Sequence, residues 1–268
     1  MTRLCDLYGV TRAGYYAWKR RAESAHAKQD RTLTEHITKL FHAHRGRYGS
    51  PRIHRELRGE GWRVSRRRVE RLMRAAGLRA RVVRIYRANP ALHRFYGQHP
   101  NRVGRMIAAR PNEIWVGDVT YLRVGRQWRF LAVVLDQCSR RILAWRLARR
   151  RDSRLTCSVL DAAARRRRPG QGLIFHSDRG SEYVAAAFRT RVASLGMQQS
   201  STQRGPGDNA HMESFFHSLK AELIHGEHFG SESALREAVT RYLQYYNRRR
   251  LHSALGYCSP IDFEAQAA

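Results

Sequence analysis

Residues 113–148, EIWVGDVTYLRVGRQWRFLAVVLDQCSRRILAWRLA, decide the fold of this 268-residue chain. The stretch contains three runs rich in β-branched and aromatic residues, which are the residue types that strands prefer. Short connections at Gly125-Arg126 and at Cys138-Ser139 separate these runs. Connections this short join neighbouring strands that run in opposite directions. The stretch therefore predicts an antiparallel meander of three strands.

The segments after this stretch alternate between helical and strand-like patterns. In chain order they predict a helix at about 153–167, the short buried strand GLIFHSD, a helix at about 181–195, the strand MQQSS, the loop TQRGPGD, and helices at about 209–226 and 232–249. Strands that alternate with helices are typical of an α/β domain. We therefore predict a mixed sheet flanked by helices over residues 113–268.

The region before residue 79 has helical patterns only. Leu33 and Ile37 fall on one face of a first helix, and Ser65 is a candidate cap for a later helix. The exposed side of that later helix carries the candidates for DNA contact, Arg66, Arg67 and Arg71. Short helices with a glycine-containing turn and a basic last helix are typical of a helix-turn-helix. We predict an all-α DNA-binding region over residues 1–78; a solvated helical bundle is the alternative.

The chain is strongly basic, with 51 Lys and Arg against 22 Asp and Glu and a net charge of +29. This balance indicates a polyanionic partner, either nucleic acid or an anionic surface. Residues 79–112 contain eight Arg and no acidic residue, so we predict a basic linker that follows DNA phosphates. No apolar run approaches the roughly 18 residues that a membrane span needs. Four scattered cysteines without CxxC spacing favour a reducing cytosol over disulfides or a zinc finger.

Three acidic residues stand in patterned segments of this basic chain: Asp118 in WVGDVTYLRV, Asp178 in IFHSDRGSEY and Glu213 in GDNAHMESFF. Asp118 is inside a predicted strand, where a charged group is costly unless it is paired or bound to a metal. Asp178 closes a predicted strand, a usual position for ligand chemistry in α/β folds. Each acid alone is compatible with a surface or capping role. Together they predict a two-metal site for phosphoryl transfer.

Basic residues in the C-terminal part are further candidates for DNA contact. Glu213 and Lys220 are seven residues apart, so both lie on one side of the predicted helix, where Lys220 can reach a phosphate. The run Arg248, Arg249 and Arg250 follows two tyrosines and predicts a phosphate-binding patch with aromatic neighbours. A solvated helix end is the alternative for this run.

Six segments resemble the DDE transposases of bacterial insertion sequences, specifically the second-open-reading-frame products related to retroviral integrases. They are RGRYGSPRIHRELRGEGWRVSRRRVERLMRAAGLRAR, WVGDVTYL, LDQCSRRILAW, HSDRGSEY, DNAHMESFFHSLKAELIH and YYNRRRLHSALGYCSPIDFE. The resemblance implies a ribonuclease-H-like catalytic core over residues 113–268. It also implies two Mg²⁺ ions, replaceable by Mn²⁺, on Asp118, Asp178 and Glu213, and a DNA contact at Lys220.

The function implied by the resemblance is metal-dependent cleavage and strand transfer of DNA in transposition. The implied partners are the terminal repeats of the element, target DNA, further copies of the chain, and the upstream-reading-frame protein through frameshift fusion. We expect a cytoplasmic, nucleoid-associated enzyme that does not bind membranes. Asp178 and Glu213 are separated by 34 residues, one fewer than is usual in this family, and the upstream part is missing. These two features favour the alternative, a catalytically impaired DNA-binding product that acts as a regulator or is a decayed copy.

Overall fold

The computed structural model describes residues 2–20, 23–81, 101–104, 106, 108–202 and 209–267. The chain divides into two compact units, residues 1–81 and 82–268. The boundary therefore lies three residues beyond the predicted end of the helical region. Most of the predicted basic linker is outside the described residues, as is most of the loop before the predicted catalytic helix. None of the described helices is both long and apolar enough to span a bilayer.

The N-terminal unit is all-α in its described part. Its helices are α1 (Thr2–Leu7), α2 (Arg12–Arg20), α3 (Ala25–Ala43), α4 (Ser50–Gly59) and α5 (Arg66–Ala75). Leu33 and Ile37 of α3 are buried, as the sequence pattern predicted. Ser65 caps α5 by accepting a hydrogen bond from the backbone N–H of Arg68 at 3.2 Å. The turn between α4 and α5 contains Gly61 at φ +88°, a conformation that side chains disfavour.

The C-terminal unit is built on a five-stranded mixed sheet with the order β3-β2-β1-β4-β5. Its strands are β1 (Ile114–Val124), β2 (Gln127–Asp136), β3 (Ile142–Ala148), β4 (Ile174–Ser177) and β5 (Gln198–Ser201). The first three strands form the predicted antiparallel meander. The last two run parallel to β1. The predicted α/β class with a mixed sheet is confirmed.

Helices cover both faces of this sheet. They are α6 (Ser153–Arg167), α7 (Ser181–Val184), α8 (Ala186–Ser194), α9 (Ala210–Leu219), α10 (Glu232–Arg248) and α11 (Pro260–Ala267). One apolar core packs α9 and α10 against the sheet. The other core packs α6, α7 and α8 against the opposite face. The sheet is therefore buried between two helical layers, and its strand ends remain available for a site.

Two predicted helices differ from the structure in detail. The helix predicted at 181–195 breaks at Ala185, whose φ of −56° and ψ of 139° are extended rather than helical. The helix predicted at 209–226 changes from α to π geometry over Lys220–Ile224. Single-turn π segments often mark functional sites in helices. The periodicity of apolar residues predicts that these helices exist, but it does not resolve such local changes.

Candidate active site

Asp118 and Asp178 lie where the pairing between the parallel strands β1 and β4 ends. β1 pairs with β4 over four residues, and the last pair is Gly117 with Ser177. Asp118 and Asp178 each come directly after that pair, so the two carboxylates come from adjacent positions. Gly117 makes this close strand packing possible, because a Cβ there would lie only 2.5 Å from Cζ of Phe175.

The two aspartates interact electrostatically. Burial raises the pKa of Asp118 to about 8, and the negative charge of Asp178 adds to the increase. The backbone N–H of Val119 donates to Asp118 Oδ1 at 2.7 Å and partly offsets it. Burial also raises the pKa of Asp178 above its ordinary value. Two acids held this close favour a cation between them, since each charge disfavours ionisation of the other.

Arg151 supplies positive charge beside this pair in the protein itself. Its Nη2 lies 3.6 Å from Oδ2 of Asp178, and its Nε donates to Oε1 of Glu182 at 2.6 Å. The side chain of Glu182 is 1% exposed, whereas that of Asp178 is 39% exposed. Asp178 is therefore the open member of the group, and Glu182 is its buried support.

Neither Arg151 nor Glu182 was predicted as a site residue. Glu182 belongs to the HSDRGSEY segment, so its presence in a patterned stretch was an available signal. Arg151 is one of three consecutive arginines after β3, and nothing in that run distinguishes it from Arg149 and Arg150.

Glu213 lies in the first turn of α9, and its side chain is exposed. The start of this helix is attached to β1, because Asn209 Nδ2 donates to the carbonyl of Gly117 at 3.4 Å. The backbone N–H of Glu213 in turn donates to the carbonyl of Asn209 at 3.1 Å. Glu213 is thus one helical turn from the residue that contacts the neighbour of Asp118. Among the described residues, no three His, Cys, Asp or Glu side chains are close enough together to hold a metal ion.

Lys220 is the first residue of the π segment that follows α9, and its side chain reaches β1. Its Nζ lies 5.0 Å from the centroid of the Tyr121 ring, and Tyr121 is three residues after Asp118. The lysine therefore contacts the strand that carries Asp118, three positions farther along it.

The arginines predicted to bind DNA in the N-terminal unit are not equivalent. Arg66 and Arg67 are exposed at the start of α5. Arg71 forms an ion pair with Asp30 of α3, with 2.6 Å between Nη2 and Oδ2. Arg68 contacts the same carboxylate at 2.7 Å, and together these contacts hold the pKa of Asp30 below its ordinary value. Arg71 thus joins two helices, although 57% of its side chain is exposed.

The predicted patch at the end of α10 requires one correction. Arg248 and Arg249 are exposed, but Arg250 is buried. Its Nη2 donates to Oε1 of Glu222 at 2.7 Å, and both side chains are nearly inaccessible to solvent. The prediction of a phosphate contact at Arg250 is therefore wrong, because this guanidinium neutralises a buried acid instead. The local sequence did not reveal this, since Glu222 is on a different helix.

Known proteins are similar to this chain over both of its units. Models of the integrase core domain match residues 108–206 and 213–267, and a model of an HTH-like domain matches residues 28–86. The chain is 37% identical to the transposase InsF for insertion sequence IS3A of Escherichia coli (strain K12), over 97% of this chain and 92% of that protein. It is also 37% identical to the transposase for insertion sequence element IS904 of Lactococcus lactis subsp. lactis (strain IL1403), over 87% and 93% of the two chains.

The fold comparison includes the HTLV-2 integrase catalytic core domain in complex with magnesium. That structure is 18% identical, covers 58% of this chain and 98% of its own, and has a TM-score of 0.44. The full-length matches to the two transposases are at a level of identity that establishes family membership. The predicted resemblance is confirmed: this chain belongs to the family of insertion-sequence transposases that includes InsF of IS3, enzymes with an integrase-type catalytic core.

Proposed function

We propose that this transposase cleaves DNA at the ends of its insertion sequence and joins those ends to target DNA, in a reaction that depends on divalent metal ions. The observation that carries the proposal is the adjacency of Asp118 and Asp178 where the β1–β4 pairing ends. The contact from Asn209 to Gly117, which brings the helix of Glu213 to the same strand, supports it further.

The residues at this site fit hard cations. Burial and like charge raise the pKa of Asp118, so the pair Asp118 and Asp178 favours a positive partner. Carboxylate oxygens are the ligands that Mg²⁺ prefers. In the proposal, Asp118 and Asp178, which the fold places next to each other, hold two Mg²⁺ ions together with Glu213, which has to move toward them; Mn²⁺ can replace Mg²⁺. When bound, these ions would activate the attacking oxygen and stabilise the leaving 3′-oxygen.

The surrounding residues would orient the site and the DNA. Arg151 supports the Asp178 loop through Glu182 and partly neutralises the aspartates.

Lys220 would contact a phosphate near the cleaved bond, since a flexible ammonium suits a single phosphate. Arg66 and Arg67 would contact the terminal repeat from the start of α5. Arg248 and Arg249 would contact the DNA backbone, which contributes affinity without sequence preference.

The partners follow from the reaction. Joining two element ends to one target requires both ends in one complex, so we propose that several copies assemble on the DNA. Terminal repeats and target DNA are then the nucleic-acid partners, and the nucleoid is where the enzyme acts. Fusion with an upstream-reading-frame product stays a prediction.

The test is incubation of the full chain with labelled DNA from the element ends and with Mg²⁺ or Mn²⁺. We expect nicked and joined products that disappear in EDTA. Asp118→Asn, Asp178→Asn and Glu213→Gln should abolish both products while DNA binding persists. Binding of the ends without any metal-dependent product would contradict the proposal and favour a DNA-binding protein without catalysis.

A further inference from the structure

Two aromatic side chains on the β1–β2 hairpin are unusually exposed. Tyr121 is 57% exposed and Trp128 is 51% exposed. Apart from Met106, the other large hydrophobic side chains in the described part of residues 82–268 are less exposed. The two rings touch edge to face, with centroids 5.2 Å apart and planes at 90°. Tyrosine and tryptophan exposed as a contiguous pair are more typical of a binding surface than of a structural core.

The hairpin register places the two rings on one face of the sheet. Tyr121 pairs with Phe130, and Arg123 pairs with Trp128, so Tyr121 and Trp128 are diagonal neighbours. β4 pairs with β1 only as far as Gly117, so the strand continues past its parallel neighbour toward this pair. Tyr121 is three positions after Asp118, about 10 Å along the strand, and side chains three positions apart project from opposite faces of a strand. This spacing along the strand is roughly three base steps of a DNA strand. The centroid of the Tyr121 ring is still only 5.0 Å from Nζ of Lys220, which follows the helix of Glu213, so the ring can be reached from the side of the carboxylates.

A cationic side chain lies beside each ring. Nζ of Lys220 lies 5.0 Å from the Tyr121 centroid, and Cζ of Arg123 lies 5.9 Å from the Trp128 centroid. Cation–π contacts at exposed positions are weak. A charge-assisted hydrogen bond from either cation to a phosphate is stronger. A DNA strand would therefore draw the cations to its backbone and leave the ring faces available to its bases.

The chemistry of this surface favours nucleic acid over a protein partner. The segment 119–131 contains no acidic residue, and its exposed arginines are Arg123 and Arg126. Its third arginine, Arg129, is buried and paired with Glu232 and takes no part in this surface. Bases inside a duplex are already stacked on their neighbours, so only an unpaired base offers a free face to an aromatic side chain. The surface thus fits a single-stranded segment whose phosphates and bases are both within reach.

We propose that Tyr121 and Trp128 form a stacking platform for unpaired bases of the DNA end next to the catalytic carboxylates. The inference rests on the proposed function and extends it, because it assigns a role to residues outside the carboxylate site. Stacking there would hold a frayed or cleaved end close to Asp118.

The experiment measures binding of the full chain, in EDTA, to two random-sequence duplexes. One duplex ends in a short single-stranded overhang and the other is blunt. We expect Tyr121→Ala and Trp128→Ala each to weaken binding of the overhang duplex by about 5- to 100-fold, the usual effect of losing one stacked base. Blunt-duplex affinity should be nearly unchanged, and Trp128→Phe should retain most of the preference. Trp18→Ala, which removes a tryptophan 69% exposed on α2, is the matched control and should not alter the preference.

A second measurement uses the wild-type protein, so that it does not depend on folding of a variant. An overhang containing 5-iodouracil should cross-link on irradiation to peptides that contain Tyr121 or Trp128. Loss of affinity that is equal for both duplexes, or cross-links only elsewhere, would overturn the inference. A shift in the oligomeric state of Trp128→Ala without a change in overhang preference would also overturn it and would indicate a contact between copies.

The two proposals can fail separately. If the protein cleaves DNA with metal but Tyr121→Ala and Trp128→Ala keep the overhang preference, only the proposal of a stacking platform is contradicted. If the overhang preference depends on these rings but no cleaved product forms, only the proposed reaction is contradicted. Absence of binding to either duplex would overturn the platform and would leave the proposed reaction to the cleavage assay on element ends.

Discussion

Arg151 and Glu182 form an ion pair next to the open carboxylate of Asp178, with 2.6 Å between Nε and Oε1. The side chain of Glu182 is almost completely buried. Nη2 of the same Arg151 lies 3.6 Å from Oδ2 of Asp178. The pair therefore connects α7 with the segment after β3 and fixes the loop that holds Asp178. A site whose acids must stay within a few tenths of an ångström of their productive positions depends on such supporting contacts.

Gly180 leaves space for this pair, and Gly180→Ala should disturb it. A Cβ at this position would lie 2.5 Å from Oε1 of Glu182 and 2.8 Å from Nη2 of Arg151. We expect the loop of Asp178 to shift, and a displacement of about 1 Å at a reacting group lowers rates by about 100-fold. Gly170→Ala is the matched control, since nothing lies within 4 Å of its Cβ. Strand-transfer rates should separate the two variants, and equal rates would contradict the role given to the pair.

Asp118→Asn should stabilise the protein in the absence of metal. Burial and repulsion by Asp178 destabilise the ionised carboxylate of Asp118 in the folded protein, which is why its pKa rises to about 8. The amide keeps the oxygen that accepts from Val119 but carries no charge. We expect a melting temperature several degrees higher in EDTA, since about 1 kcal/mol shifts it by about 2–4 °C in a chain of this size. Mg²⁺ should raise the melting temperature of the wild type and not of the variant; stabilisation of both would place the ion elsewhere.

Glu264 predicts how stability depends on pH. Burial opposes its ionisation, but hydrogen bonds from Arg167, Ser139 and Arg141 outweigh burial and hold the pKa below the ordinary value of 4.5. A depressed pKa contributes stability that is present above the unfolded pKa and is lost as pH falls through the folded one. Glu264→Gln should therefore be less stable than the wild type at pH 7, and the difference should shrink below about pH 4. A difference in melting temperature that is constant from pH 7 to pH 3 would contradict this assignment.

Arg250 and Arg248 should have opposite effects when they are replaced. Arg250 neutralises the buried Glu222, and breaking a buried pair by removing one partner costs about 3–5 kcal/mol. Arg250→Ala should lower the midpoint of urea unfolding strongly. Arg248→Ala, at an exposed position on the same segment, should leave that midpoint unchanged. It should reduce the slope of log DNA affinity against log salt concentration by about one unit, the effect of losing one phosphate contact. A similar loss of DNA affinity in both variants, with stability intact, would restore the patch as it was first predicted.

Arg66 and Arg67 should contribute to recognition of the element ends, and Arg71 should contribute to helix packing. Arg66→Ala and Arg67→Ala should weaken binding to element ends more than to random DNA, by about 1–3 kcal/mol where a base is contacted. Arg71→Ala removes one of two arginines from Asp30, so we expect a lower stability of the N-terminal unit instead. Titration of both DNAs with each variant separates the roles; equal losses on both DNAs would mean phosphate contact only.

Much of the fold could be predicted from local patterns. The meander follows from three strand-like runs joined by short connections, of two residues between β1 and β2 and five between β2 and β3. The cap of α5 follows from Ser65 in front of a basic amphipathic segment. Asp118 and Asp178 could also be located, because a charged residue inside an apolar strand, like Asp118, or directly after one, like Asp178, is costly without a partner. These features depend on neighbours within a few positions of the chain, so the sequence by itself determined them.

The tertiary structure alone decided which distant groups meet. Arg151 was indistinguishable from the adjacent arginines until the fold brought Glu182 to it, 31 positions later in the chain. The local sequence indicates a surface position for Arg250, but the fold pairs its guanidinium with Glu222, 28 positions earlier in the chain. Tyr121 lies in a strand-like run, and its exposure and its contact with the ring of Trp128 are properties of the folded hairpin. The energies of such pairs depend on distance and burial in space, and neither is encoded in the spacing of residues along the chain.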